Sequence, residues 1–218
     1  MKIIVIGASG TIGSAVAEAL EKNHEVVRAA RRGPVRVDMD NNASIDALFE
    51  TVRDVDAVVV TAASGKLTPL DSDDDFTRGL QGKLLGQLHL VRRAIQHLRD
   101  GGSITLTSGV FERPMVGGSF GALVNAGLEA FVAHATIEMP RGLRLNAVGP
   151  GWVAETLESM GLDPADGTPV GVVARSYVEA VEGNARWGRP CDRTRSCRCS
   201  AVSASATGGI YHGHCGQP

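Results

Sequence analysis

The thirteen N-terminal residues, Met1-Lys-Ile-Ile-Val-Ile-Gly-Ala-Ser-Gly-Thr-Ile-Gly13, restrict the possible folds more than any other stretch. The β-branched run Ile3 to Ile6 has the continuous apolar character of a buried strand. It meets three glycines, Gly7, Gly10 and Gly13, and then apolar residues at helical spacing in Ile12, Val16, Ala19 and Leu20. A strand therefore turns through glycine into the start of a helix. Backbone N–H groups point outward at such a junction and the helix dipole adds partial positive charge, so a pyrophosphate can sit there. Gly7 permits the tight turn, Gly10 the approach of backbone to phosphate, and Gly13 close packing of helix on strand. Ser9, Thr11 and Ile12 complete the expected dinucleotide cradle. The alternative is an ordinary glycine-containing turn, which the strand-before, helix-after context disfavours.

Strand and helix patterns alternate along most of the chain. Strands are expected at Lys2–Ile6, Glu25–Ala30, Val35–Val37, Ala57–Thr61, Ser103–Thr107 and Leu143–Val148. Helices are expected at 14–22, 44–53 (with Asn41 or Asn42 as cap), 76–98, 119–139 and 170–182. This alternation predicts an α/β protein with a doubly wound parallel sheet, a Rossmann-like three-layer α/β/α sandwich with ligands beyond the carboxyl ends of the strands.

The 218 residues divide by charge. Residues 186–218 hold five of the 22 Lys and Arg but one of the 24 acids, so residues 1–185 carry −6 and the tail +4. All four cysteines (Cys191, Cys197, Cys199 and Cys215) fall in that tail with His212 and His214. Their spacing matches no zinc pattern, and no metal is expected. A Ser/Gly/Arg-rich segment without apolar periodicity reads as disordered, or as the product of a changed reading frame, with Thr207–Tyr211 as a weak last strand. Residues 1–185 thus form one expected domain and 186–218 an atypical tail. No basic stripe with aromatics points to nucleic acid. The N-terminal run is too short for a signal segment, no stretch suggests a membrane span, and a body without cysteine fits the cytoplasm.

Four separated motifs over residues 1–185 resemble the short-chain dehydrogenase/reductase family. They are the Gly7/Gly10/Gly13 turn, Thr61-Ala62-Ala63-Ser64-Gly65 after a strand, Ser108 at a strand end, and Arg144-Leu-Asn-Ala-Val-Gly-Pro-Gly-Trp-Val153. The resemblance implies a nicotinamide cofactor near Thr61 to Ser64, Pro150 and Gly151, with Thr156 holding the carboxamide although Glu155 falls at the usual offset. It also implies a small-molecule substrate, homo-oligomerisation, and Asp38 near the adenine, although Asp38 could equally be a turn residue. An NAD-preferring domain carries an acid at the end of its second strand. Here the stretch is Arg28-Ala-Ala-Arg31-Arg32, whose guanidinium groups suit a 2′-phosphate, so NADP(H) is expected in preference to NAD(H). The alternative is a solvated basic turn.

One departure bears on chemistry. The family's Tyr-x-x-x-Lys pair falls on Gly121 and Asn125, its helix asparagine on Lys83, and the only tyrosines are Tyr177 and Tyr211. Ser108 is then expected to polarise a substrate oxygen, with the proton supplied by Lys83 or water. The alternatives are a strand-end hydroxyl for Ser108 and a solvated helix face for Lys83. Positioning alone contributes roughly 7–11 kcal/mol to a barrier, so hydride transfer can survive loss of the tyrosine. The expected function is an oxidoreductase acting on a small carbonyl or alcohol. The alternative is a catalytically inactive NADP(H)-binding sensor with a redox-dependent protein partner.

Overall fold

The computed structural model describes residues 1–62, 67–73 and 79–183, together with the backbone of Cys197–Arg198. Ala63, Ser64, the expected helix start at Phe76, the boundary at 185 and Thr207–Tyr211 lie outside the described residues.

Six strands run parallel in the order β3-β2-β1-β4-β5-β6: β1 (Lys2–Ile6), β2 (Glu25–Ala30), β3 (Val35–Arg36), β4 (Val55–Val60), β5 (Leu98–Thr107) and β6 (Arg144–Pro150). A two-residue antiparallel strand, β7 (Cys197–Arg198), pairs with the end of β6. The order reverses between β1 and β4, and ligands bind at such a switch point.

The unbroken apolar character of β1 follows from burial on both faces. Ile4 and Ile6 join a core completed by Leu48, Phe49, Leu90 and Leu128, while Ile3 and Val5 join another with Val16, Leu20, Val173 and Tyr177. Helices α1 (Thr11–Leu20) and α6 (Val170–Glu182) cover the second face. Helices α2 (Asn42–Thr51), α3 (Gln87–His97) and α4 (Ser119–Ala135) cover the first. Asn41 caps α2, its Oδ1 accepting from the N–H groups of Ala43 and Ser44.

Several boundaries differ from the sequence expectation. The long helix expected at 76–98 is a π-helical segment, Leu80–Gly86, running into α3, and Leu98 already belongs to β5. A Cβ at Gly82 would collide with Asp40 Oδ1 and one at Gly86 with the Met39 carbonyl, so this segment is glycine-rich because the loop after β3 lies against it. Arg144, in the segment read as a cofactor motif, instead donates to the carbonyls of Ala180 and Val181, at 2.8 and 2.6 Å, closing the C-terminal end of α6. A short helix, α5 (Ala154–Ser159), went unanticipated.

By length and composition alone the stretch Ser119–Glu138 is apolar enough to cross a membrane, against the expectation that no stretch approaches a span. Its Val124, Leu128 and Val132 row packs into the sheet layer, while Leu123 and Ile137 of the same stretch are exposed.

Candidate functional site

Parallel pairing brings the ends of β1, β4, β5 and β6 to one edge of the sheet, where most of the expected site residues gather. Gly7 adopts φ +85° and its N–H donates to the Ala29 carbonyl at 2.9 Å. A Cβ there would stand 2.5 Å from the Ala62 nitrogen, and one on Gly13 would strike the Gly7 carbonyl oxygen. The turn is therefore compressed against the end of β4, where the Thr61 hydroxyl donates to the Ile6 carbonyl at 2.8 Å. Gly10 is the N-cap of α1 without a side-chain cap, and the first turn carries no acid. Uncapped N–H groups and an unopposed dipole fit an anion. Ser9 and Thr11 are exposed beside them, with Ile12 half-buried.

Arg31 and Arg32 are exposed just past β2, in the expected place for a 2′-phosphate. Arg28 is already paired, donating from Nε and Nη2 to the Glu21 carboxylate at 2.7 and 2.8 Å. That pairing raises the guanidinium pKa and lowers that of Glu21. Asp38 makes turn contacts: its N–H donates to Ser44 Oγ and its Oδ1 accepts from the Asp40 N–H at 3.1 Å. Pro150 and the half-buried Gly151 end β6, and the Pro150 carbonyl accepts from Val110 N–H. Thr156 is half-buried within α5. Glu155 is committed elsewhere, both carboxylate oxygens accepting from the Val170 N–H at the start of α6.

At the end of β5 successive side chains point to opposite faces. Thr107 faces Tyr177, whose hydroxyl lies 2.7 Å from Thr107 Oγ1. The Thr107 proton goes to the Val60 carbonyl, so Tyr177 is the donor. Tyr177 is fully buried there. Ser108 faces α4 and is 3% exposed, with its N–H donating to the Val148 carbonyl. Its hydroxyl donates to Glu129 Oε1 at 3.2 Å. That proton is directed at Glu129.

Lys83 stands on the π-helical segment and is half-buried rather than solvated. Its Nζ donates to Asn125 Oδ1 at 2.6 Å, and burial lowers its pKa from 10.5 to about 8. Asn125 lies against the residue after Ser108, since a Cβ on Gly109 would be 2.9 Å from Asn125 Nδ2. The space into which a side chain at Gly121 would project belongs to Phe111, whose ring lies 3.0 Å from a Cβ built there.

Two contributors escaped the sequence reading. Buried Gln87 donates from Nε2 to the carbonyls of Lys83 and Thr107 and accepts from the Thr107 N–H, fastening the Lys83 segment to the strand before Ser108. Glu129 was the other, and its spacing of four from Asn125 was the available signal, since such residues share a helix face.

The fold and the strand-end site define a nucleotide-binding type of α/β protein. Residues 5–179 match the model of the short-chain alcohol dehydrogenase family described as enoyl-(acyl carrier protein) reductase, and the chain belongs to the short-chain dehydrogenase/reductase family of oxidoreductases. The crystal structure of protein lin1944 from Listeria innocua is 41% identical with a TM-score of 0.78, covering 84% of this chain and 94% of that one. A small-chain dehydrogenase solved in complex with NADPH is 25% identical with a TM-score of 0.73, covering 85% and 93%. A short chain dehydrogenase from Mycobacterium smegmatis is 26% identical with a TM-score of 0.69, covering 83% and 85%. Comparison with curated proteins gave no match.

Proposed function

We propose that residues 1–185 form an NADP(H)-dependent oxidoreductase domain that reduces a small carbonyl compound, or oxidises the matching alcohol, with Lys83 as the proton donor in place of the family's tyrosine. The observation that carries this reading is the 2.6 Å contact between Lys83 Nζ and Asn125 Oδ1 beside Gly109. Lysine and asparagine have exchanged helices relative to the family pattern, leaving the lysine bonded to the asparagine that lies against Gly109. The compressed glycine turn and the uncapped start of α1 support the pyrophosphate site, and the exposed placement of Arg31 and Arg32 just past β2 supports preference for the 2′-phosphate. The solved NADPH complex of a 25% identical dehydrogenase favours the same cofactor.

When bound, the reduced nicotinamide supplies a hydride to the carbonyl carbon. The Lys83 ammonium gives a proton to the oxygen, and the resulting amine regains one from water. Lowering of its pKa towards neutrality suits this exchange. Asn125 holds Nζ in place, and Gln87 holds the backbone of Lys83 against β5. The apolar exposed row on α4, including Leu123, with Leu85 on the π-helical segment, supports association with a second copy of the chain.

The test is NADPH oxidation against a carbonyl and quinone panel with wild type, Lys83→Ala and Ser108→Ala. Lys83→Ala should lose about 10²–10⁴-fold in kcat, the usual worth of general acid catalysis. Saturable NADPH binding without turnover of any compound would overturn the catalytic reading and leave the sensor.

A further inference from the structure

Lys83 and Ser108 present opposite hydrogen-bonding character to whatever lies beyond the strand ends. The Lys83 ammonium can only donate. The Ser108 hydroxyl has one proton and two lone pairs, and the proton is spent on Glu129 Oε1. A carboxylate only accepts, so it cannot return a proton to Ser108. With Glu129 so placed, Ser108 meets a ligand as an acceptor. The anchors of the two groups, Asn125 and Glu129, are four residues apart on α4. Such positions lie about 5–6 Å apart on one helix face. A donor and an acceptor are thus each held by a residue of α4, and those two anchors share one helix face.

A plain ketone uses only one half of this arrangement, because its oxygen accepts from Lys83 and leaves Ser108 unsatisfied. A carbonyl with a hydroxyl on the neighbouring carbon uses both. We infer that the substrate is an α-hydroxycarbonyl compound, reduced to a vicinal diol, and that Glu129 is the positioning residue that selects the neighbouring hydroxyl by holding Ser108 as its acceptor. The carbonyl oxygen takes the Lys83 proton and the carbonyl carbon takes the hydride of NADPH. The neighbouring hydroxyl donates to Ser108 Oγ and is unchanged in the reaction. The products are the diol, NADP⁺ and a Lys83 amine that water reprotonates. This inference rests on the oxidoreductase reading above.

Three ketones of one skeleton separate donor from acceptor recognition: 1-hydroxy-2-butanone, its methyl ether 1-methoxy-2-butanone, and 2-butanone. Wild type should reduce the hydroxyketone with kcat/KM about tenfold above the ether, the value of one hydrogen bond to a charge-backed acceptor, chiefly through KM. Glu129→Gln replaces a pure acceptor by an amide that can also donate to Ser108, so the KM preference for hydroxyketone over ether should fall towards unity. Glu129→Asp should restore part of the hydroxyketone preference. Equal KM values for hydroxyketone and ether in wild type would overturn the inference and leave the oxidoreductase reading standing. A Glu129→Gln variant that weakens both alike would overturn it too, as the mark of a structural role. If none of the three turns over, NADPH-saturated protein is titrated with hydroxyketone and ether by nucleotide fluorescence. Tighter hydroxyketone binding, lost in Glu129→Gln, supports the inference, and equal or absent binding overturns it. Failure to bind NADPH in the first place sinks the functional reading itself.

Discussion

Replacing Lys83 by methionine should stabilise the protein at neutral pH and destabilise it at alkaline pH. Burial lowers the Lys83 pKa from 10.5 to about 8, so charging this residue is harder in the folded chain than in the unfolded one. At about 1.4 kcal/mol per tenfold in proton affinity, the folded state at pH 7 carries a penalty of about 3 kcal/mol. Between pH 8 and 10.5 the unfolded chain holds more protons than the folded one, so wild-type stability rises with pH and the penalty fades. Methionine keeps an apolar stem of similar length without the charge, but it leaves Asn125 without its Lys83 partner, at a cost of about 1–2 kcal/mol. The net gain at pH 7 is about 1–2 kcal/mol, or roughly 3–6 °C in Tm for a chain of this size. At pH 10.5 the variant should be the less stable of the two by about 1 kcal/mol. Urea unfolding of both proteins from pH 7 to 10.5 measures the crossing. A stability difference that stays constant over that range would refute the suppressed lysine, whatever its sign.

Gly13→Ala should cost about 1–3 kcal/mol by overpacking, because its methyl meets the Gly7 carbonyl and lies 2.6 Å from Thr61 Oγ1. It should also abolish NADPH binding, and a variant with wild-type affinity in a fluorescence titration would show that the turn is not the cradle. Arg31→Ala should weaken NADPH about tenfold and leave NADH unchanged, as expected for one charge-assisted contact to a 2′-phosphate. Equal losses for both nucleotides would place the effect elsewhere.

The sequence by itself determined the doubly wound parallel sheet, because each signal behind it is local. An apolar run, a glycine turn and a 3.6-residue period act within one strand–turn–helix unit, and right-handed parallel crossovers leave few ways to join such units. The glycine turn of Gly7, Gly10 and Gly13 was legible for that reason, as were a cap at Asn41 or Asn42 and Ser108 at a strand end. Boundaries that depend on neighbours were not legible. The π-helical segment follows from the loop at Met39 and Asp40 pressing on Gly82 and Gly86, and Glu155 is drawn away to the start of α6. The partners of Lys83 and Ser108 belong to the tertiary structure. Lys83 meets Asn125 across 42 residues and Ser108 meets Glu129 across 21. A hydroxyl's role as donor or acceptor, and a lysine's proton affinity, are set by the partner and the burial that folding supplies, and neither is written in the residue type.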